Sequence, residues 1–471
     1  MIDLTEQPQA LQDLVHEMKR DWDDRARQNA KWFINKARRQ QAVRLQPSDE
    51  EFDETGKLEV NRLILDDLTL LTAGRDPKSM RILEIGCGIG RMTRELANIF
   101  GEVYATDVSA EMIKQARTRL QDWTNVHLYE TNGLDLAELP SGHFDLVFSA
   151  YVFQHVPSAE VIRANLTEAY RVLKPGGVLK FQTNGITAFD FEGTTKDTWI
   201  GASFPEAEIR RFAEDVGAQL IGIFGSGMQY CWTTLRKRAP LTGSVAQYAA
   251  ARPQIEFHGR CDNPHIKEIP IIGDHAAFTL IVSGLVQEEI DANSLIIEIN
   301  GEAVLPYYVG PVSQKCTAAL NAELSASLDR LTQIEAAIPC GEQSCQASVR
   351  VRLGSDEASA PMTIELHELQ PVIPKVVAVL NASDLGTDIY ARGVKSALVI
   401  QAEGLDEAAD TGNVRVQVGQ RIIKPNSISF VSRKGVHQVT AQLPADTAPD
   451  VTDLRLHFGS LQSPAVPLHI R

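Results

Sequence analysis

Residues 81 to 90, Arg-Ile-Leu-Glu-Ile-Gly-Cys-Gly-Ile-Gly, constrain this chain more than any other stretch. An apolar strand ends beside an acid and runs into glycines at alternate positions. That pattern describes a buried strand entering a turn tight enough for a ligand to lie against bare backbone. A dinucleotide fingerprint would place its third glycine three residues after the second, admitting a pyrophosphate to a helix N-terminus. Here that position holds Arg91. Glu84 adds negative charge that repels a diphosphate and suits a ligand with a cationic end. Both features count against a nicotinamide-dependent oxidoreductase.

The elements that follow read as strands and helices in alternation. Glu102 to Ser109 is a strand ending at Asp107, about twenty residues beyond Glu84, the offset that a βαβ unit produces. Asp107 can accept from both hydroxyls of a ribose, or help Ser109 start the helix carrying Met112, Ile113 and Ala116; the two roles are compatible. Val126 to Glu130 and the almost wholly apolar Phe144 to Ser149 make a third and a fourth strand. Ser158 caps a helix with Ile162, Leu166, Ala169, Tyr170 and Leu173 on one stripe. Pro175 forbids its continuation, and Gly176 and Gly177 allow the reversal into a fifth strand, Val178 to Thr183. A last helix, Pro205 to Val216, precedes a hairpin of Gln219 to Phe224 and Gln229 to Lys237, turning at Gly225, Ser226 and Gly227.

The glycine turn, Asp107 and the phrase Arg-Val-Leu-Lys-Pro-Gly-Gly at 171 to 177 resemble the class I S-adenosylmethionine-dependent methyltransferases, of the small-molecule, type 11-like kind. The resemblance implies an α/β Rossmann-like fold whose seven-stranded sheet has six parallel strands and a last antiparallel one. It implies S-adenosyl-L-methionine as cofactor, held by Glu84, Gly86, Cys87, Gly88, Gly90, Asp107, Val108 and Ser149. It sets Asp135 on the adenine amine and the backbone of Leu136 on the ring edge, with Leu134 where the family usually carries glycine. Met112 is either a packing surface for adenine or ordinary core.

A sulfonium methyl is already activated, so such an enzyme mainly holds a nucleophile in line, an effect worth up to about 7 to 11 kcal/mol. The acceptor belongs beyond the carboxyl ends of strands four and five, which selects Tyr151, Gln154, His155, Gln182 and Asn184. His155 is the candidate base, with an ordinary pKa of about 6.5, or else it packs the loop before Pro157. Asp21 to Ile34 reads as a helix, either a lid placing Trp22 and Trp32 over the substrate or a helix docked on the sheet. The connection from Gly185 to Phe204, with Phe189, Phe191 and Trp199, reads as a second lid. Tyr230 and Trp232 face the pocket or fill core.

After Arg238 the pattern changes to short alternating strands. The expected division is a lid segment at 1–55, a cofactor-binding domain at 56–238, a linker at 239–265, and two β-sandwiches at 266–370 and 371–471. The sandwiches are internal repeats: Ala277 to Leu285 matches Ala397 to Leu405, Leu295 to Gly301 matches Val414 to Gly419, Gln333 to Pro339 matches Gln438 to Pro444, and Ser359 to Ile364 matches Ser463 to Leu468. They resemble bacterial immunoglobulin-like modules, which implies a role in positioning a glycan-like substrate, pairing copies of the chain, or docking a partner. Only the first carries an insertion, Gln314 to Leu331, whose spacing reads as a helix.

A chain of 471 residues with 44% apolar content can bury several cores. A net charge of −15 argues against a nucleic-acid substrate. No run is apolar enough to span a bilayer, and Met1 to Val15 has no signal-peptide pattern, so a cytoplasmic protein without membrane partners is expected. Among the six cysteines, Cys340 and Cys345 lie close but read as independent thiols, and no metal site is expected. A binding protein with an inactive methyltransferase domain is the rival from another class.

Overall fold

A computed structural model describes residues 9–34, 48–185, 198, 201–239, 252–259, 269–271, 275–285, 290–317, 320, 328–339, 346–353, 358–368, 373–381, 386–391, 396–405, 414–425, 427–432, 436–444, 447–458 and 461–471. Helix α1 (Gln9–Ile34) begins well before Asp21 and turns Val15, Met18, Ala26 and Ala30 inward. It breaks at Asn29, whose backbone is extended and whose Oδ1 accepts the Trp32 N–H at 3.1 Å. Helix α2 (Asp49–Val60) starts in a reciprocal cap: Glu51 N–H donates to Ser48 Oγ and Ser48 N–H to the Glu51 carboxylate, each at 3.1 Å.

Next come α3 (Leu68–Thr72), β1 (Arg81–Ile85), α4 (Thr93–Ile99), β2 (Glu102–Asp107), α5 (Ala110–Arg119), β3 (Val126–Glu130), β4 (Phe144–Ser149), α6 (Ala159–Val172), β5 (Leu173–Thr183), α7 (Glu206–Asp215), β6 (Ala218–Phe224) and β7 (Cys231–Lys237). The strands lie in the order 3-2-1-4-5-7-6, with β1 to β5 parallel and β7 antiparallel to both neighbours. This is the expected Rossmann-like sheet, and its order reverses between β1 and β4, which opens a crevice beyond their carboxyl ends. Strand β5 starts earlier than the glycine signal suggests. Leu173 already pairs with Phe144, and a register shift absorbs Pro175 and its glycines.

The remainder is almost entirely strand, in two units. The first holds β8 (Gln254–Gly259), β9 (Ile269–Ile271), β10 (His275–Ser283), β11 (Leu295–Ile299), β12 (Glu302–Val304), β13 (Tyr308–Pro311), α8 (Gln314–Thr317), β14 (Thr332–Pro339), β15 (Gln346–Leu353) and β16 (Met362–Glu368). The second holds β17 (Lys375–Asn381), β18 (Ala397–Glu403), β19 (Val414–Val418), β20 (Arg421–Ile423), β21 (Ser427–Ser432), β22 (Val436–Gln442), β23 (Asp450–Phe458), β24 (Leu461–Gln462) and β25 (Val466–Ile470). The orders β13-β14-β10-β8 and β12-β11-β15-β16 in one recur as β21-β22-β18-β17 and β20-β19-β23-β25 in the other. The repeat extends to single hydrogen bonds. Ser359 Oγ accepts from Val351 N–H at 3.0 Å while its own N–H donates to Val351 O at 2.8 Å; Ser463 does the same with Leu456 at 2.9 and 2.8 Å.

One boundary shifts. The stretch taken as a linker contains β8, which pairs with β10, so the first unit begins before residue 266. Of the insertion at 314–331, Gln314–Thr317 is α-helical and Leu328–Arg330 forms a 3₁₀ turn, while most of the stretch between them lies outside the described residues. The first unit is also not an independent neighbour. Strand β13 pairs with β6 through Tyr308 and Gly222, which extends the Rossmann-like sheet to eleven strands. Cys340 and Cys345 lie outside the described residues, whereas Cys316 is disulfide-bonded and Cys87 and Cys231 are free. No helix among the described residues is long and apolar enough to cross a membrane.

The junction is dense. Ala292 N–H donates to Leu220 O at 2.9 Å, Ile223 N–H to Tyr307 O at 2.8 Å, and Arg238 pairs with Asp291. Arg210 on α7 donates to Ala292 O (3.0 Å), Asn293 Oδ1 (2.9 Å) and Pro306 O (3.1 Å). One apolar core runs without interruption from Val15 through β5 to Leu366, while Val376 to Ile470 enclose a core of their own. Arg210→Ala leaves three acceptors in the first β unit without their donor. It is expected to lower the unfolding free energy by about 2 kcal/mol, read from urea denaturation followed by circular dichroism; an unchanged midpoint would show that docking does not rest on Arg210.

Candidate functional site

The loop after β1 turns on glycines because the backbone has no room for anything else. At Gly86, φ is +77° and a Cβ would fall 2.2 Å from Val152 Cγ2. The turn is held from the next strand: Asp107 accepts from Gly88 N–H at 2.8 Å and Ser109 N–H at 2.9 Å. Ser109 Oγ accepts the Met112 N–H at 3.1 Å, so the cap and the acidic strand end coexist. Burial, opposed by these N–H donors and reinforced by nearby Asp23, pushes the Asp107 carboxyl up to about 6.

A cavity of about 610 Å³ opens over this turn, within the 300–1,000 Å³ typical of small-ligand sites. Gly86, Cys87, Gly88, Asp107, Val108 and Met112 line one part of it. Tyr151, His155, Tyr230 and Trp232 line another, and Trp22 reaches in from α1. Trp22 meets the His155 ring edge-on, with centroids 5.4 Å apart. Helix α1 is fixed there by Asp23, which accepts from Ser109 Oγ at 2.6 Å and Glu111 N–H at 3.1 Å.

Other predicted residues are placed elsewhere. Glu84 lies fully buried beneath the floor, where Thr93 Oγ1 donates to it at 2.6 Å and its second oxygen has no partner. Burial, partly offset by Thr93 and Arg91, raises its carboxyl to about 7. Gly90 packs on Leu120, and Ser149 Oγ cross-links β4 to the Ile85 carbonyl at 3.1 Å. Asp135 accepts from Asn132 Nδ2 at 2.9 Å and Ala137 N–H at 3.1 Å, closing a turn rather than facing the cavity. The Leu136 N–H is taken by Glu168 at 3.1 Å, so it is not free to read a ring edge. Gly133, presented by that turn, and Thr131 line the wall instead.

Gln154, Gln182 and Asn184 are buried behind the wall. Gln154 Nε2 sits 3.2 Å from His155 Nε2, and Gln182 Nε2 donates to Thr183 O and Gln229 O at 2.7 and 3.0 Å. Trp32 does not reach the cavity; its neighbours Phe33 and Ile34 do. Phe189, Phe191 and Trp199 lie outside the described residues, although Thr198 of the same connection donates to Asp21 of α1 at 2.6 Å.

Sequence reasoning missed α2. Thr55 and Glu59, one turn apart on α2, line the cavity together with Arg62 of the π-helical turn Asn61–Leu65 that follows. The cap pattern Ser48-x-x-Glu51 was the legible signal for that helix. Arg62 Nη2 donates to Glu59 at 2.8 Å and to the Tyr151 hydroxyl at 2.6 Å, and that hydroxyl donates to Glu59 at 2.9 Å. Tyr151 holds a left-handed φ of +61° and stands edge-on to Tyr230 and Trp232 at 5.8 and 5.7 Å. Burial pushes its hydroxyl well above the ordinary phenol value. Among the described residues no three His, Cys, Asp or Glu side chains are placed to hold a metal ion.

Residues 83–181 match the model of a family described as a methyltransferase domain. A ubiquinone biosynthesis O-methyltransferase of Xanthomonas axonopodis is 29% identical over 177 residues, covering 35% of this chain and 72% of the relative. A malonyl-[acyl-carrier protein] O-methyltransferase of Salmonella typhimurium is 39% identical over 116 residues, covering 25% and 42%. Several of the curated relatives are thus spanned over only about half their length. Among solved structures, a DhpI complex with S-adenosylhomocysteine covers 48% of this chain and 98% of the other at 21% identity and a TM-score of 0.33. An S-adenosylmethionine-dependent methyltransferase from Aquifex aeolicus covers 40% and 98% at 20% identity and a TM-score of 0.30. Residues 83–181 thus match a methyltransferase domain, and S-adenosyl-L-methionine is the cofactor that this match supports. The glycine cradle beside an acidic strand end fits an adenosyl group.

Asp107 carries its charge only above about pH 6. Affinity for S-adenosylhomocysteine is therefore expected to hold from pH 8 to 7 and to fall by up to about tenfold per unit below 6 as the carboxyl is protonated. Calorimetry across that range checks it, and a flat profile would remove Asp107 as the ribose acceptor.

Proposed function

We propose that this chain transfers a methyl group from S-adenosyl-L-methionine to a nucleophile, an oxygen first among the candidates, of a small molecule with a flat apolar body. One observation carries the reading: a single cavity has a glycine cradle and Asp107 on one side and an aromatic wall of Tyr151, Tyr230 and Trp232 on the other. The O-methyltransferase names of relatives support oxygen as the acceptor atom.

In this reading Gly86 and Gly88 admit the adenosyl half to the backbone, Asp107 accepts from its ribose hydroxyls, and Val108 and Met112 flank its base. Bound there, the cofactor supplies an electrophilic methyl group. The chain then has to orient and desolvate the acceptor, the positioning effect worth up to about 7 to 11 kcal/mol. Tyr151 is held in place by Glu59 and Arg62, so that its ring forms a fixed edge for the acceptor. His155, on the wall and braced by Trp22, is positioned to take the proton that a hydroxyl releases.

The two repeated β units suit immunoglobulin-like modules, and the first has a positioning role. It clamps β6, and the hairpin that leaves β6 carries Tyr230 and Trp232 to the cavity. Contacts between copies of the chain through the second unit and a cytoplasmic setting complete the proposal.

Incubation with isotopically labelled cofactor and a library of phenols, hydroxy acids and oligosaccharides, followed by mass spectrometry, tests this. Labelled product is expected from wild type and not from Asp107→Ala. His155→Ala is expected to cut turnover at least tenfold with unchanged S-adenosylhomocysteine affinity. Labelled product formed at the wild-type rate by His155→Ala would remove its role as base.

A further inference from the structure

Arg62 lines the cavity on the side of the aromatic wall and is tied there through one nitrogen. Its Nη2 donates to Glu59 Oε2 at 2.8 Å and to the Tyr151 hydroxyl at 2.6 Å, and that hydroxyl donates to the same Glu59 oxygen at 2.9 Å. A forked arginine–carboxylate pair spends two nitrogens on two oxygens. This triangle spends one of each. Nη1 and Nε of Arg62 meet no acceptor among the described residues, and the side chain stays 60% exposed, so part of the guanidinium remains open to a ligand.

The residue is held in a fixed place. It belongs to the π-helical turn Asn61–Leu65, where Asp66 N–H donates to Asn61 O, five residues back, at 3.0 Å; single turns wound this widely often mark functional sites. Leu63 and Ile64 of the turn are buried in the core. Lys180 of β5, itself buried, donates to Leu63 O at 2.7 Å and to Asp67 at 2.6 Å. Burying an ammonium is costly, and these two acceptors offset the cost while pinning the turn. An ion pair between neighbours on a free helix face contributes little. Here the pair is fixed from two strands, by Tyr151 after β4 and by Lys180.

Tyr151 also joins Arg62 to the wall. Its hydroxyl is a corner of the triangle, and its ring stands edge-on to Tyr230 and Trp232, so the guanidinium and the wall lie on either side of one tyrosine. We propose that Arg62 sets the acceptor class: the methyl acceptor is a flat molecule bearing a carboxylate, which takes the Arg62 N–H groups that Glu59 and Tyr151 leave unused. The proposal rests on the reading that the aromatic wall receives the acceptor. A positive charge with spare donors rewards an anionic partner over a neutral one. The Glu59 carboxylate alongside disfavours a dianion such as a phosphate monoester, which leaves the singly charged carboxylate.

Benzoate, naphthoate and their two carboxamides, titrated calorimetrically into the full chain saturated with S-adenosylhomocysteine, test this. Wild type is expected to bind each carboxylate about tenfold or more tightly than its amide, the scale of one hydrogen bond to a charged group. Arg62→Met should bring acid and amide to equal affinity. Its affinity for S-adenosylhomocysteine should stay within about twofold of wild type, which shows that the variant folds and that the carboxylate in question is not the cofactor's own. Arg62→Lys should keep part of the preference. Equal binding of acid and amide by wild type, binding of neither acid, or an undiminished preference in Arg62→Met would each overturn the assignment and leave the methyl-transfer reading standing. Failure of wild type to bind S-adenosylhomocysteine would overturn both.

Discussion

The carboxylate of Asp107 is the point on which the architecture of the site turns. It stands at the end of one strand and grips the backbone of the loop leaving the next, through the N–H of Gly88, while its other oxygen closes the first turn of α5. Loop, strand end and helix start are thereby locked into a single concave surface. Asp23 of α1 is tied to the same helix start, so the wall that closes the cavity is anchored beside its floor. A charge held in so little water is unfavourable, and burial raises this carboxyl in spite of its two N–H donors.

The sheet and its cofactor end were legible because their signals are local. Alternating glycines, an acid at a fixed offset and a Pro-Gly-Gly stop each constrain a few consecutive residues, and they mark the alternation of strands and helices, whereas the order 3-2-1-4-5-7-6 is a finding of the structure. The acceptor side was less legible because it depends on contacts distant in sequence. Thr55, Glu59 and Arg62 acquire meaning only when α2 lies across the glycine turn. Gln182 and Asn184 sit at the predicted strand end, but they are buried behind the wall, where Gln182 serves neighbouring carbonyls. Asp135 is bound within its own turn by Asn132, as an acid in a short loop commonly is.

The repeat was visible in sequence and holds down to the two serine staples, yet the copies have different fates. In the first, the edge strand β13 carries Tyr308, whose ring packs against Ile221 and Leu70 beneath the methyltransferase sheet. In the second, the equivalent strand β21 pairs with β22. A duplicated module has thus been recruited on one side into a catalytic scaffold. No alternation of apolar residues announces such a union, because a strand edge joined through backbone groups leaves little trace in side-chain pattern.

That union alters where the molecule can be divided. A fragment ending after β7 would contain every cofactor motif and would look complete by sequence, but it would bare the full edge of β6 together with the apolar surface that Tyr308 covers. Exposed edges of this kind invite intermolecular strand pairing and precipitation. The shortest piece expected to remain soluble extends through β16, to Glu368 rather than Lys237, so the physical unit is half as long again as the one the motifs outline.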